Sequence, residues 1–172
     1  NPILNKNIKK KILFSSVVPE AYKKINKFLK AKKYQVYEIK KLPLNKLIRI
    51  KINKFSQLGS DRIANAIAAY SLYKKNCLVI DFGTATTFDI VRSPGIYEGG
   101  VIAPGVKLSI LNLNRYTASL PLLNLKASSK TFGRNTKDAL NAGFLWGYQG
   151  LINNIVKKIK TSCNCSFKII LT

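Results

Sequence analysis

The apolar positions of this chain fall into short runs and helical stripes that alternate from end to end. Residues 11–18, KILFSSVV, read as a strand ending near Pro19. Residues 20–32 predict a helix with Ala21, Ile25, Phe28 and Leu29 on one face and lysines on the other. Residues 34–39, YQVYEI, alternate as a strand does, and the β-α-β order predicts a small parallel unit. Residues 40–57 are basic and broken by Pro43, with a short strand around Leu47–Ile52. Ser60 or Asp61 can cap a helix running to about Tyr73, whose buried face is Ile63, Ala64, Ile67, Ala68 and Leu72. Cys77–Ile80 reads as a buried strand, and Phe88–Val91 as its return. Ser93-Pro94-Gly95 marks a tight turn, and Pro104 is placed to open a helix carrying Val106, Leu108, Ile110 and Leu111. Residues 112–130 form an irregular crossing. A long helix follows over about 137–160, with Thr136 as its cap and Phe144 and Trp146 as core residues. Gly143, Gly147 and Gly150 interrupt it at up to about 1 kcal/mol each against Ala, so close packing or a ligand should compensate. Phe167 to Leu171 reads as a last strand.

Chemistry enters where the central strand ends. Asp81 puts a charge there, and Phe82-Gly83-Thr84-Ala85-Thr86-Thr87 follows as a small, hydroxylated turn. A strand, an Asp, a Gly-Thr turn and a return strand can present N–H groups and hydroxyls to a polyanion, while the carboxylate holds a cation or a water. The same residues also describe an ordinary hairpin with threonines on its exposed face. Asp61 has two roles open to it as well. In the first turn of a helix it stays ionised easily, which suits a cap and suits a base. Gly99-Gly100 lets a backbone approach closely, for packing or for a ligand.

Composition narrows the classes. The 172 residues suit one ordinary domain or two small ones. No apolar run reaches the roughly 18 residues of a membrane span, and the start of the chain, NPILNKNIKKK, is too polar for a signal-peptide core. Three cysteines and no histidine fit a reducing cytosol and argue against a zinc site. The net charge of +23 invites a nucleic-acid reading, but its distribution opposes one. Residues 1–60 hold 16 Lys/Arg against Glu20 and Glu38, whereas residues 77–125 balance Arg92, Lys107 and Arg115 against Asp81, Asp89 and Glu98. Lysine outnumbers arginine 25 to 5, although bidentate recognition favours arginine. Such a field attracts small anions.

Taken together, the segments Leu58-Gly59-Ser60-Asp61-Arg62-Ile63-Ala64-Asn65-Ala66, Asp81-Phe82-Gly83-Thr84-Ala85-Thr86-Thr87-Phe88-Asp89, Gly99-Gly100-Val101-Ile102-Ala103-Pro104-Gly105 and Asn135-Thr136 with Gly143 and Gly147 resemble the type III pantothenate kinases. Each motif alone is weak; four in the family's order and approximate spacing are specific. The resemblance runs from about Ser15 to Thr172 and includes Ser15–Pro19 and Tyr116–Pro121. It implies an α/β, ribonuclease H-like fold of the actin-like ATPase kind, with two α/β domains around a nucleotide cleft. Residues 1–75 would be the remainder of an N-terminal domain and a linking helix, and residues 76–172 a C-terminal domain. The implied reaction is transfer of the ATP γ-phosphate to the primary hydroxyl of pantothenate, the first step of coenzyme A synthesis. Mg2+, a monovalent cation (K+ or NH4+), a homodimer and a cytoplasmic location are implied with it.

Carried over by position, the resemblance makes Asp61 the general base, with Gly59, Ser60 and Arg62 beside it in the pantothenate site. Asp81 would hold the monovalent cation or help organise the phosphates. Gly83, Thr84 and Thr87 would form the second phosphate loop, Gly99 and Gly100 the pocket wall, and Thr136 would reach pantothenate across the dimer interface. A carboxylate is the natural base for a primary alcohol in a chain without histidine. Two family features have no counterpart here: the Asp-x-Gly-Asn-Thr loop of the first strand, and the Thr-Gly-Gly segment past the last strand, of which Thr172 could be the first residue. The expectation is an interior fragment, or a form trimmed at both ends, with little or no kinase activity by itself. Two other readings stand beside this one: a non-catalytic accessory factor for transcription, and a superfamily kinase acting on a sugar. A pure regulator has no reason to keep both Asp61 and Asp81.

Overall fold

A computed structural model describes residues 10–16, 18–127 and 131–172 of the chain. Val17 of the first expected strand, residues 1–9 and residues 128–130 of the crossing lie outside the described residues. Strand β1 (Lys11–Phe14), helix α1 (Pro19–Ala31) and strand β2 (Gln35–Glu38) make the expected parallel unit, with Lys11 opposite Gln35 and Phe14 opposite Glu38. The first strand is shorter than its apolar run, and Pro19 sits in the first helical turn, where its missing N–H is no loss.

The rest of the chain is organised on a five-stranded mixed sheet. Its strands are β3 (Arg49–Ile50), β4 (Cys77–Phe82), β5 (Ala85–Arg92), β6 (Ile96–Pro104) and β7 (Lys168–Leu171), in the order β3-β6-β5-β4-β7. The β4-β5-β6 meander is antiparallel, and β3 and β7 pair parallel to its outer strands. Helix α2 (Ser60–Tyr73) covers one face of the meander. Helix α4 (Thr136–Cys163) covers the other, and α3 (Val106–Arg115) follows β6. Alternation sorts the side chains: Cys77, Val79 and Val91 pack with Ile63 and Ala66 of α2, whereas Leu78, Ile80 and Phe88 pack with Ile159 of α4.

The helix starts differ from expectation. Neither Ser60 nor Asp61 caps α2: Gly59 is the residue before the first turn and no side chain caps it. Strand β6 runs through Pro104, so α3 opens after Gly105. Asn135 caps α4, its Oδ1 accepting from Asp138 N at 3.0 Å, and Thr136 is the first helical residue. An amide and a hydroxyl, Asn135 and Thr136, compete for that place, and Asn135 wins because its Nδ2 also donates to the Asp138 carboxylate at 2.8 Å. Trp146 is 47% exposed and Phe144 stacks on Tyr148, so neither lies in the core. The space where side chains at Gly143, Gly147 and Gly150 would project is open, so no packing within the described residues compensates them. Among the described residues no helix is long and apolar enough to cross a membrane.

Candidate active site

The first turn of α2 brings the motif residues together. Leu58 is buried and anchors the chain as it enters the helix. Ser60 is buried too, and its hydroxyl donates to Ser16 O at 2.7 Å, tying the end of the β1 segment to this turn. Its oxygen is thereby occupied in structure. Asp61 is exposed, and its Oδ1 accepts from Arg62 N at 2.8 Å and lies against Gly59, where a Cβ would overlap it. Gly59 therefore leaves room for this carboxylate. One turn on, Asn65 Nδ2 donates to Asp81 Oδ2 at 3.3 Å, linking the helix that carries Asp61 to the end of β4.

Arg62 turns the other way, onto the sheet. Its Nε and Nη2 converge on Asp89 Oδ1 at 2.7 and 2.6 Å. Tyr97 donates its hydroxyl to the same oxygen at 2.7 Å, and Thr87 Oγ1 donates to Oδ2 at 3.2 Å. Asp89 is fully buried and the Arg62 side chain is 14% exposed. Burial alone would lower the Arg62 pKa; the hydrogen bonds and charge of Asp89 outweigh it and hold the guanidinium above its ordinary value. Burial, aided by the Asp89 charge, pushes the Tyr97 phenol well above its usual range, so it stays a donor.

A bulge makes this cluster. Between the Ile90–Gly99 and Val91–Tyr97 pairs, β6 carries one extra residue, Glu98. Without it, Tyr97 and Gly100 would point to opposite faces; with it, both face Asp89 and α2. Gly99 takes φ +110°, open to glycine and strained for other residues. At Gly100 a Cβ would overlap Phe88 O and crowd Arg62 Nη2. The close approach expected of the glycine pair is therefore real at Gly100, and it is approach to protein. Arg62, Tyr97, Gly99 and Gly100 wall a cleft of about 420 Å3, shared with Gln57 and Leu58. Gln57, Leu58, Gly59 and Ser60 also border a second cleft of about 570 Å3, rimmed by Lys23, Lys40 and Lys41.

The β4-β5 turn is tighter than the sequence implies. Thr86 and Thr87 belong to β5, leaving Gly83 and Thr84 as the exposed turn. Gly83 N donates to Ala85 O at 3.1 Å and Thr87 Oγ1 is held by Asp89, so Thr84 is the motif residue whose donors face outward. Gly105 N donates to Thr84 O at 3.1 Å, and a Cβ on Gly105 would overlap the carbonyl oxygens of Gly83 and Thr84. The turn is thus pinned against the start of α3, where helix N–H groups and dipole favour an anion. Asp81 is half-buried beside it, and its second carboxylate oxygen has no hydrogen-bond partner among the described residues. A hard oxygen donor of that kind fits a cation such as K+.

Thr136 is not brought to this cluster. It is exposed and lines an apolar groove of about 580 Å3 between α3 and α4, with Ser109, Leu113, Gly143 and Gly147. Asn65, Asp89, Tyr97 and Gly105 are the site residues that motif reading alone left without a role. For Asp89 a signal existed: a lone carboxylate in the apolar run FDIV has to be buried with a partner.

Comparison with known proteins bears on this arrangement. A family model described as type III pantothenate kinase matches residues 2–158. A type III pantothenate kinase of Pelagibacter ubique is 51% identical over 169 residues, covering 98% of this chain and 66% of that protein. One from Koribacter versatilis is 44% identical over 117 residues, covering 68% of this chain and 43% of its own length. A solved structure from Campylobacter jejuni, described as a conserved putative Baf family transcriptional activator, superposes with TM-score 0.56 at 27% identity, over 94% of this chain and 67% of that one. The chain therefore spans 66% of the first of these relatives and under half of the second. With the matched residues running through every motif of the site, the chain belongs to the type III pantothenate kinase family.

Proposed function

We propose that this chain takes part in ATP-dependent phosphorylation of pantothenate to 4′-phosphopantothenate, the first step of coenzyme A synthesis. The observation that carries the reading is the first turn of α2, where an exposed Asp61 is followed in the chain by a fixed Arg62 that lines a cleft walled by Gly99 and Gly100. In this reading Gly59, Ser60 and Arg62 shape the pantothenate site, and Asp61 accepts the proton of the primary hydroxyl. The hydroxyl oxygen forms a bond to the γ-phosphorus of ATP as the bond to the β,γ-bridging oxygen breaks, and ADP leaves with that electron pair. Gly83, Thr84 and Thr87 form the phosphate-facing hairpin, with Thr84 supplying the outward donors. Asp81 is the ligand for a monovalent cation. Mg2+ bound with ATP would neutralise developing charge on the phosphates.

The finer architecture belongs to the same proposal. Residues 1–75 would be part of one α/β domain and residues 76–172 another, in a ribonuclease H-like arrangement around the nucleotide; the separate β1-β2 sheet supports a division, whereas β3 and α2 join the five-stranded sheet and speak for a boundary before Arg49. The apolar groove with Thr136 on its rim supports a homodimer in which Thr136 reaches the partner's substrate. A cytoplasmic location suits the three free cysteines. A transcriptional role leaves the exposed Asp61 carboxylate and the Asn65–Asp81 hydrogen bond without a purpose.

The test incubates γ-labelled ATP with pantothenate and two proteins. One is these 172 residues; the other is the same residues flanked by the terminal segments that the Pelagibacter relative has outside the matched span. Label in 4′-phosphopantothenate from the flanked form supports the proposal, and label released only as phosphate, or not at all, overturns it.

A further inference from the structure

Asp89 lies on β5, one strand in from the cleft, and contacts no solvent. Both of its oxygens are engaged: Oδ1 by Arg62 Nε, Arg62 Nη2 and the Tyr97 hydroxyl, and Oδ2 by Thr87 Oγ1. These donors come from three elements, α2, β5 and β6. The Tyr97 ring also stands near the guanidinium, with Arg62 Cζ 6.0 Å from its centroid. Gly100 lies close to Nη2, in a space that admits no side chain. Arg62 Nη1 has no hydrogen-bond partner among the described residues, and Arg62 itself lines the 420 Å3 cleft.

Stability alone is a poor account of this cluster. Burying an ion pair brings a desolvation penalty, and apolar residues of similar volume commonly serve as well or better. What a buried, four-times-engaged carboxylate does provide is a cation whose position is set before a ligand arrives, so that binding does not have to order a long flexible side chain. The bulge at Glu98 has the same effect, since it is what turns Tyr97 toward Asp89.

We propose that Asp89, with Tyr97 as its second support, is a positioning residue that fixes the Arg62 guanidinium toward the 420 Å3 cleft for recognition of pantothenate. This rests on the reading of the cleft as the pantothenate site. Asp89 does not touch the substrate: it is wholly covered, and its influence passes through Arg62.

The experiment titrates pantothenate into the chain by calorimetry and follows the Arg62 Nε–H resonance by NMR. Asp89→Asn should weaken binding by about 10-fold or more, and Tyr97→Phe by roughly 2- to 5-fold, on the scale of losing one support of a buried charge pair. The decisive comparison is the double variant. In an Arg62→Ala background, Asp89→Asn should change affinity no further, because its effect acts through Arg62. A folded Asp89→Asn variant that binds pantothenate as the wild type does overturns the proposal, as does an undiminished effect in the Arg62→Ala background. Should Asp89→Asn fail to fold, Tyr97→Phe decides: unchanged affinity overturns the proposal and a loss supports it. Should the wild type show no pantothenate binding, the substrate reading of the cleft falls, and the NMR signal judges the positioning separately. Slow Nε–H exchange in the wild type that becomes fast in Tyr97→Phe supports it, and equally fast exchange in both overturns it.

Discussion

The two faces of the β4-β5-β6 meander are built from alternate residues of the same strands, yet they do different things. Toward α4 the strands present Leu78, Ile80, Phe88 and Ala103, closed over by Ile159 and its neighbours. Toward α2 the same strands are apolar at one edge of the face, with Cys77, Val79 and Val91, and polar at the other, with Asp81, Thr87 and Asp89. Strand length is the same on both sides, so the covering helix decides. Helix α4 covers its face with an apolar stripe from its C-terminal half, Leu151, Ile152, Ile155, Val156 and Ile159. Helix α2 meets the strand ends with Asp61, Arg62 and Asn65, and each sheet carboxylate there has a partner on it. A period of two gives a strand two independent faces, and one can carry chemistry while the other holds the fold. Thr86 is a buried polar exception on the α4 side, its Oγ1 without a partner among the described residues; the structure offers no reason for it.

Variants on each side test that division, and the largest effect is expected at Asp61. Asp61→Asn in the flanked form should lower kcat by about 100- to 10,000-fold, the range for a lost general base, with the melting temperature unchanged because the side chain is exposed. A lost fold or an unchanged kcat would break the comparison. Across the sheet, Phe88→Ala should destabilise by roughly 3–5 kcal/mol in denaturant titration, while the folded fraction keeps its pantothenate affinity. Gly100→Ala should destabilise by about 1–3 kcal/mol, as overpacking does, and weaken pantothenate binding, since the new methyl meets Phe88 O and Arg62 Nη2. Gly147→Ala should have the opposite sign. Space is open there, so the chain should gain up to about 1 kcal/mol, and sedimentation should show any self-association through that groove weakened. The smallest effect is a pH dependence at Tyr97. Its folded pKa is raised, so its contribution is complete below the unfolded phenol value of about 10 and is lost as pH rises through the folded value. Tyr97→Phe should flatten the fall in stability above that pH.

Much of this architecture is legible in local pattern. The β-α-β start, the Cys77–Val91 hairpin, α2 and the last strand all follow from local period and punctuation, even though the last strand pairs with distant β4. What the pattern does not carry is register between strands. Gly99 and Gly100 read as a site of close approach, and that is correct at Gly100. That the extra Glu98 would turn Tyr97 and Gly100 to one face depends on pairing with Ile90 and Val91, which no local window contains. The roles of Asp89 and Tyr97 were hidden with it. Thr87 shows the same limit: its hydroxyl reads as a phosphate donor, but only the fold reveals Asp89 two residues on, along the same face, taking that donor. In α4 the helical period marks Trp146 as one of a run of apolar residues, and the side it projects from is exposed in this chain. Asn135 outcompetes Thr136 as the cap through a bond to Asp138 that the cap rules alone rank no higher.

The division between the faces is tested most directly by pantothenate calorimetry on two single variants that both keep the sheet intact. Arg62→Ala removes the cation on the α2 side, and Ile80→Val trims a methylene on the α4 side. The account predicts that Ile80→Val binds as the wild type does despite a stability loss of about 0.5–1.5 kcal/mol, whereas Arg62→Ala loses 10-fold or more in affinity. Equal affinity for the wild type and Arg62→Ala, with both folded, would contradict it.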